Sequence, residues 1–287
     1  MKKLFFITLC AWCATAVWAQ DGKHGWQVEL KKLAFDLTST EVKNAQDYQG
    51  FSDARLTSDS QTSVRGNWDS IADYHAEHFL WSNELTMDYG RTKIRPVDGE
   101  RLTNENADKI LLTTEYTQKV WQVDDFLGGF NAGPFANLGY ETEFTKPDNA
   151  PGTRIVRGMV GLKMFEGKYL KSLYAALVGE RDFTYRPYAS KSAWETGFKL
   201  EIPVREGVIF KWDAMYRDYL TTTQKHPTDL DWEFETNARL DVEVYKNLFV
   251  APFISYYTAK GKYISSRGEN VYVGVSFSFS HIFHAAN

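Results

Sequence analysis

Ser190-Lys191-Ser192-Ala193-Trp194-Glu195-Thr196-Gly197-Phe198-Lys199-Leu200-Glu201-Ile202-Pro203-Val204 is the stretch that decides the fold. Its even positions run Trp194, Thr196, Phe198, Leu200, Ile202, Val204. Its odd positions run Lys191, Ala193, Glu195, Gly197, Lys199, Glu201. A period of two puts one set on each face of a β-strand, so one face is apolar and the other charged or small. Working outward, Val208, Phe210, Trp212, Ala214 and Tyr216 oppose Lys211, Asp213 and Arg217. Next, Leu230, Trp232, Phe234, Ala238, Leu240 and Val242 oppose Asp231, Glu233, Glu235, Arg239, Asp241 and Glu243. A final series, Val271 to Phe283, alternates with Asn270, Gly274, Ser276, Ser278 and Ser280.

The same pattern runs back toward the start. Val156, Gly158, Val160, Leu162 and Met164 oppose Arg157 and Lys163; Ala136, Leu138 and Tyr140 oppose Asn137, Glu141 and Glu143. Phe79, Trp81, Leu85, Met87 and Tyr89 oppose Glu84 and Asp88, and Ile110, Leu112 and Tyr116 oppose Lys109, Glu115 and Lys119. Residues 168–185 and 248–257 are apolar on both faces in places, leaving their facing open, and 26–37 and 57–68 carry the faintest alternation. The runs are about 12–17 residues long, against ~5–6 for soluble strands. Long strands with one continuous greasy face fit a barrel turned inside out, with lipid outside and water and charge within. The expected architecture is all-β: an antiparallel up-and-down transmembrane β-barrel of about twelve strands, an even number.

Composition agrees. The 287 residues include 19 Phe, 16 Tyr and 9 Trp, an aromatic load that suits interfacial girdles. A mean hydropathy of -0.42 is too low for a helical membrane protein. Lys2 and Lys3, the apolar run Leu4–Val17 and the small-x-small site Val17-Trp18-Ala19 read as a secretory signal peptide over 1–19, leaving a barrel domain over 20–287. Cys10 and Cys13 both fall in the peptide and lack a lipobox, so the mature chain is expected to hold no disulfide and no thiolate metal site. Losing Lys2 and Lys3 takes the formal charge from -4 to -6, and a mildly acidic chain without a basic stripe argues against nucleic acid.

Short turns are expected at Asp69-Ala72, Glu166-Gly167, Arg205-Glu206 and Lys246-Asn247, with 124–129 slightly longer. Longer polar segments, 39–54, 92–107, 147–153, 221–229 and 260–269, alternate with them. Short periplasmic turns and long external loops would put both termini in the periplasm. A last strand ending at Phe283, four residues before Asn287, is similar to the C-terminal signal of outer-membrane proteins.

Trp81-Ser82-Asn83-Glu84-Leu85-Thr86-Met87-Asp88-Tyr89-Gly90, followed by Asn106-Ala107-Asp108-Lys109-Ile110, resembles uncharacterised outer-membrane barrels of Bacteroidota. That resemblance implies an outer-membrane location in a Gram-negative cell and supplies no functional residues.

Candidate chemistry is sparse. A lipid hydrolase would need a His and a Ser two residues apart on the lipid face; His281 has Phe279 and Phe283 at those places. His75 and His78, three apart, face opposite sides of a strand. Carboxylate pairs on 231–243 could serve glycoside hydrolysis or Ca²⁺. Neighbouring strands supply bases, however, so interstrand ion pairs explain them without catalysis. The acidic run 98–108 lacks calcium-loop spacing, and no nucleotide-binding glycine pattern is present. Trp194, Trp212, Trp232, Tyr216, Phe144 and Tyr89 read as interfacial girdles rather than a carbohydrate platform.

The expectation is therefore a non-enzymatic outer-membrane barrel without a cofactor. Its partners would be membrane lipid and small hydrophilic solutes passing a narrow porin-like lumen; the alternative is a plugged structural or interaction barrel with partner-binding loops. Expected lumen-lining residues are Glu84, Asp88, Lys109, Glu115, Glu141, Arg157, Lys163, Glu195, Lys199, Lys211, Asp213, Arg217, Asp231, Glu233, Glu235, Arg239 and Asp241. Oligomeric state is left open.

Overall fold

The computed structural model describes residues 25–51, 53–57, 61–94, 102–146 and 151–283. The signal-peptide segment 1–19 and residues 98–101 of the acidic run lie outside them. Twelve long antiparallel strands and one short ribbon account for most of the described chain. They are β1 (Gly25–Lys43), β2 (Gln61–His75), β3 (Phe79–Ile94), β4 (Leu102–Gln118), the ribbon β5 (Trp121–Val123), β6 (Phe130–Thr142) and β7 (Arg154–Phe165). Then come β8 (Leu170–Asp182), β9 (Ala189–Arg205), β10 (Val208–Thr222), β11 (Leu230–Tyr245), β12 (Leu248–Gly261) and β13 (Arg267–Phe283). Each long strand pairs with its sequence neighbour, and β4 reaches past β5 to pair with β6. The first and last strands join from Val28↔Phe283 to Lys43↔Glu269. Closure leaves no open edge, which a sheet in hydrocarbon requires because no water is there to satisfy its backbone.

Side-chain facing follows the alternation. On the outside, Leu177 is 65% exposed, Phe35 64% and Leu162 60%; inside, Glu195 is 3% and Arg217 6% exposed. The two uncertain strands resolve to the same rule: β8 turns Ala176, Val178, Glu180 and Asp182 inward, and β12 turns Ala251, Tyr257 and Ala259 inward.

Aromatic rings outside the barrel form two belts. At the short-turn end Trp26, Tyr74, Trp81, Phe79 and Tyr116 make a chain of ring contacts 5.2–6.0 Å apart. Toward the loop end lie Tyr89–Phe144 at 5.6 Å and the row Trp194–Tyr216–Trp232 at 5.3 and 6.2 Å. Trp81 and Tyr89 are eight residues apart on β3, so the belts are about 27 Å apart along the strand; a ~40° tilt reduces this to roughly 20 Å of depth. That is close to the ~25 Å apolar band of a membrane barrel. Trp212, also expected in a girdle, packs edge-on to Phe198 at 4.8 Å on the outer face.

The strand junctions depart from expectation in one place. Asp69-Ala72 is not a turn: these residues sit within β2, and the chain turns at 76–78. Asp69 reads as a turn residue because soluble strands rarely carry aspartates, whereas an inside-out barrel points it into its lumen. The other short turns fall where expected. The start of β1, Gly25, and the end of β13, Phe283, lie with those turns, while the β1–β2 connection and five other connections occupy the opposite end.

Candidate functional site

The candidate site is the lumen and the β1–β2 loop folded into it. Charged side chains reach the interior because each strand's second face holds them, and antiparallel register then sets bases beside acids. Arg157 stands opposite Glu180, and Arg217 is flanked by Glu195 and Glu233. The contacts follow that register. Arg157 reaches Glu180 at 2.8 Å and Glu141 at 3.4 Å. Arg217 donates from Nε to Glu195 at 2.6 Å and from Nη1 to Glu233 at 2.6 Å. Tyr174 donates to Glu195 at 2.6 Å, and Tyr219 and Tyr257 donate to Glu233 at 3.2 and 3.1 Å. Lys191 lies among Asp182, Asp229 and Glu180 at 3.0, 3.5 and 3.8 Å. The result is a belt of alternating sign on the inner wall from β6 to β11.

A second group of charges lies mostly toward the short turns, with Arg65 and Asp88 nearer the loops. Lys31 pairs with Glu84 at 3.0 Å, Arg65 with Asp88 at 2.9 Å, and Lys211 with Asp241 at 3.1 Å. Lys163 pairs with Glu115, and Arg239 with Asp241 while donating to Ser278 at 2.7 Å. Asp213 accepts from Asn237 at 3.3 Å. Lys199, opposite Asp213, is exposed to water and acts electrostatically on Glu84. A register shift at Leu30/Lys32 lets consecutive Lys31 and Lys32 both serve the interior, with Lys32 3.7 Å from Asp36.

Of the residues expected in the lumen, Asp88, Lys109, Glu141, Arg157, Arg217, Glu233 and Glu235 border one interior cavity. Asp231 does not. A bulge between Leu230 and Trp232 inserts an extra residue, so Leu230 packs inward and Asp231 is exposed at the rim, near outward-facing Tyr216.

The constriction lies outside the strand pattern. After β1 the chain makes a 3-10 turn (Ala45–Tyr48) and one helical turn (Ala54–Thr57) that enter the barrel mouth. Tyr48 and Leu56 are fully buried and pack with Phe51, Tyr257 and Ala259. Burying such side chains stabilises the seated loop by ~1.5–3 kcal/mol each, before the cost of ordering it. Tyr48 donates to the Ala259 and Ser266 carbonyls at 3.0 and 3.1 Å, and Tyr185 to the Gly50 carbonyl at 2.8 Å. The wall is cut to receive it: a Cβ on Gly268 of β13 would lie 2.6 Å from Leu56.

Arg55 is the loop's charged contact. Its guanidinium binds Asp53 through Nε at 3.0 Å and Nη2 at 2.7 Å, and donates from Nη1 to Glu235 at 2.7 Å. It lies 4.0 Å from Glu233 and 3.7 Å above the centroid of Tyr257. Asn270 donates to the Arg55 carbonyl at 2.6 Å. Beside this cluster remains a cavity of about 240 Å³, lined by eight carboxylates and six bases.

At the short-turn end, Glu166 ties three connections together. It accepts from Lys119 at 2.9 Å and Asn131 at 2.8 Å and meets His75 at 2.9 Å. Burial alone would raise its pKa, but these partners hold it down to about 2. His281, between the Phe279 and Phe283 rings on the outer face, contacts Asn247 rather than a serine.

No protein-family model matches the sequence, and no curated protein matches it. Among solved structures the chain is similar to the outer membrane channel DcaP of Acinetobacter baumannii, at 6% identity and a TM-score of 0.43, over 92% of this chain and 100% of that one. It is similar to the NanC porin at 11% identity and a TM-score of 0.40, covering 85% and 98%. It is also similar to the translocator domain of autotransporter NalP from Neisseria meningitidis, at 12% identity and a TM-score of 0.36, covering 91% and 90%.

Proposed function

We propose that the chain is an outer-membrane β-barrel of a Gram-negative cell that forms a narrow channel for small hydrophilic solutes, constricted by its β1–β2 loop. One observation carries the reading: among the described residues the interior is charged along its length and is stopped by the β1–β2 loop, not by a packed apolar centre. Ion pairs on a wet wall leave room for water and solutes, whereas interdigitated aliphatic side chains would not. The apolar outer face between two aromatic belts supports the membrane location. No catalytic step and no cofactor belong to this reading.

The belt from Glu141 to Glu233 favours a second reading, a closed structural barrel, because Glu195, Arg217 and Glu233 are nearly dry. Planar-bilayer recordings of the purified chain separate the two. Wild type should give small, cation-preferring conductance steps. Gly268→Val, whose side chain would collide with Leu56, should unseat the loop and enlarge the steps severalfold. No steps from either protein would overturn the channel reading and leave the structural one.

A further inference from the structure

Arg55 occupies a seat made by the wall. The wall contributes the Glu235 carboxylate, the Glu233 carboxylate and the face of the Tyr257 ring. Two carboxylates and an aromatic face are the complement of a planar organic cation: bidentate N–H groups meet the oxygens and the delocalised charge lies over the ring.

Three features make the seat exchangeable rather than a fixed part of the barrel. First, its occupant is carried by a connection, not by a strand. Second, the loop brings its own counterion: Asp53 takes Nε and one Nη of Arg55, so the pair can withdraw together without stranding a bare cation. The wall does not share that provision. Glu233 keeps Arg217, Tyr219 and Tyr257, but Arg55 is the sole basic partner of Glu235 among the described residues. Withdrawal therefore leaves an unneutralised carboxylate facing a cavity. Third, that cavity of about 240 Å³ adjoins the seat and carries an excess of acids over bases, so a cation has space and a favourable field on arrival.

We propose that the Glu235–Glu233–Tyr257 seat is a binding site for guanidinium-bearing or similar planar organic cations, and that Arg55 is a built-in competitor for it. Ligand and loop exclude each other, so a cationic solute that takes the seat holds the constriction open. The inference rests on the channel reading for its purpose but not for its test, which reads binding directly.

The experiment is calorimetric titration of argininamide into the full chain in detergent micelles. Arg55→Ala should bind it about tenfold more tightly than wild type, because a seat filled by Arg55 some nine-tenths of the time lowers the apparent affinity by that factor. Adding Glu235→Gln to Arg55→Ala should abolish the gain. Glutamate should not bind. Should Arg55→Ala fail to fold, judged by loss of the mobility shift between heated and unheated samples, Arg55→Met keeps the stem's bulk and replaces it. Equal affinities for wild type and the Arg55 variant, or a gain untouched by Glu235→Gln, would overturn the proposal. Tight binding by a protein that never conducts would uphold the seat and sink the channel, so the two readings fail separately.

Discussion

At the scale of the residue, Arg217 concentrates the electrostatics. Two strands supply its carboxylates, Glu195 and Glu233, and all three side chains are nearly sealed from water. Removing one member of such a group leaves uncompensated charge in a poorly solvated place, costing ~3–5 kcal/mol. Arg217→Ala should lower folding stability in lipid vesicles by about that amount, measured by urea titration, while Arg267→Ala on the exposed rim should change it by less than ~1 kcal/mol. Glu166 makes a different prediction because it lies in a turn. Its pKa falls from 4.5 in the ordinary carboxylate to about 2 in the folded chain. A depressed carboxylate stabilises the fold above its unfolded pKa, and that contribution drains away as the proton returns. Wild type should therefore lose stability between about pH 4.5 and pH 2 more steeply than Glu166→Gln, followed by thermal unfolding monitored by circular dichroism. Parallel slopes in that window would mean the staple contributes nothing.

At the scale of the element, β8 shows what a single-residue step means. Leu177 points to lipid and Val178 into the lumen, with exposures of 65% and 3%. Leu177→Arg should destabilise the barrel by ~2–4 kcal/mol if it lies near mid-bilayer, measured by reversible folding into vesicles. Asp182, two turns of the alternation from Val178, already carries charge on the inner face without that penalty. The alternation that makes this contrast was legible in Trp194, Phe198 and Leu200 against Glu195 and Lys199, because each strand declares its two faces locally. Legibility ended where local pattern ended. Asp231 looked like its neighbours, but the bulge beside it breaks the parity. Asp69 mimicked a turn because carboxylates inside a strand are unusual unless the strand lines water. The loop was invisible as a plug: Tyr48 finds its partners more than 200 positions away at Ala259 and Ser266, and no spacing within 44–57 encodes that. The only local hint was the presence of Tyr48, Phe51 and Leu56 in an otherwise polar connection. Glu180 and Asp182 were obscured because β8 is apolar on both faces near its middle.

At the scale of the whole molecule, wall and plug are separable. Backbone pairing runs continuously around the twelve long strands and owes nothing to residues 44–57, so Gly268→Val is expected to alter conductance while leaving the unfolding midpoint in vesicles nearly unchanged. Pairing between β1 and β13 has a consequence of another kind. Of the barrel's described strands these are the first and the last to be made, and their ladder is what closes the cylinder. Until Arg267–Phe283 has been made and delivered, two rows of unsatisfied amides and carbonyls stand open, and a half-finished chain cannot rest in hydrocarbon. Biogenesis must therefore shelter this sheet along both margins until β13 is in place, and a premature stop anywhere before that strand would forfeit not one hairpin but the entire insertion.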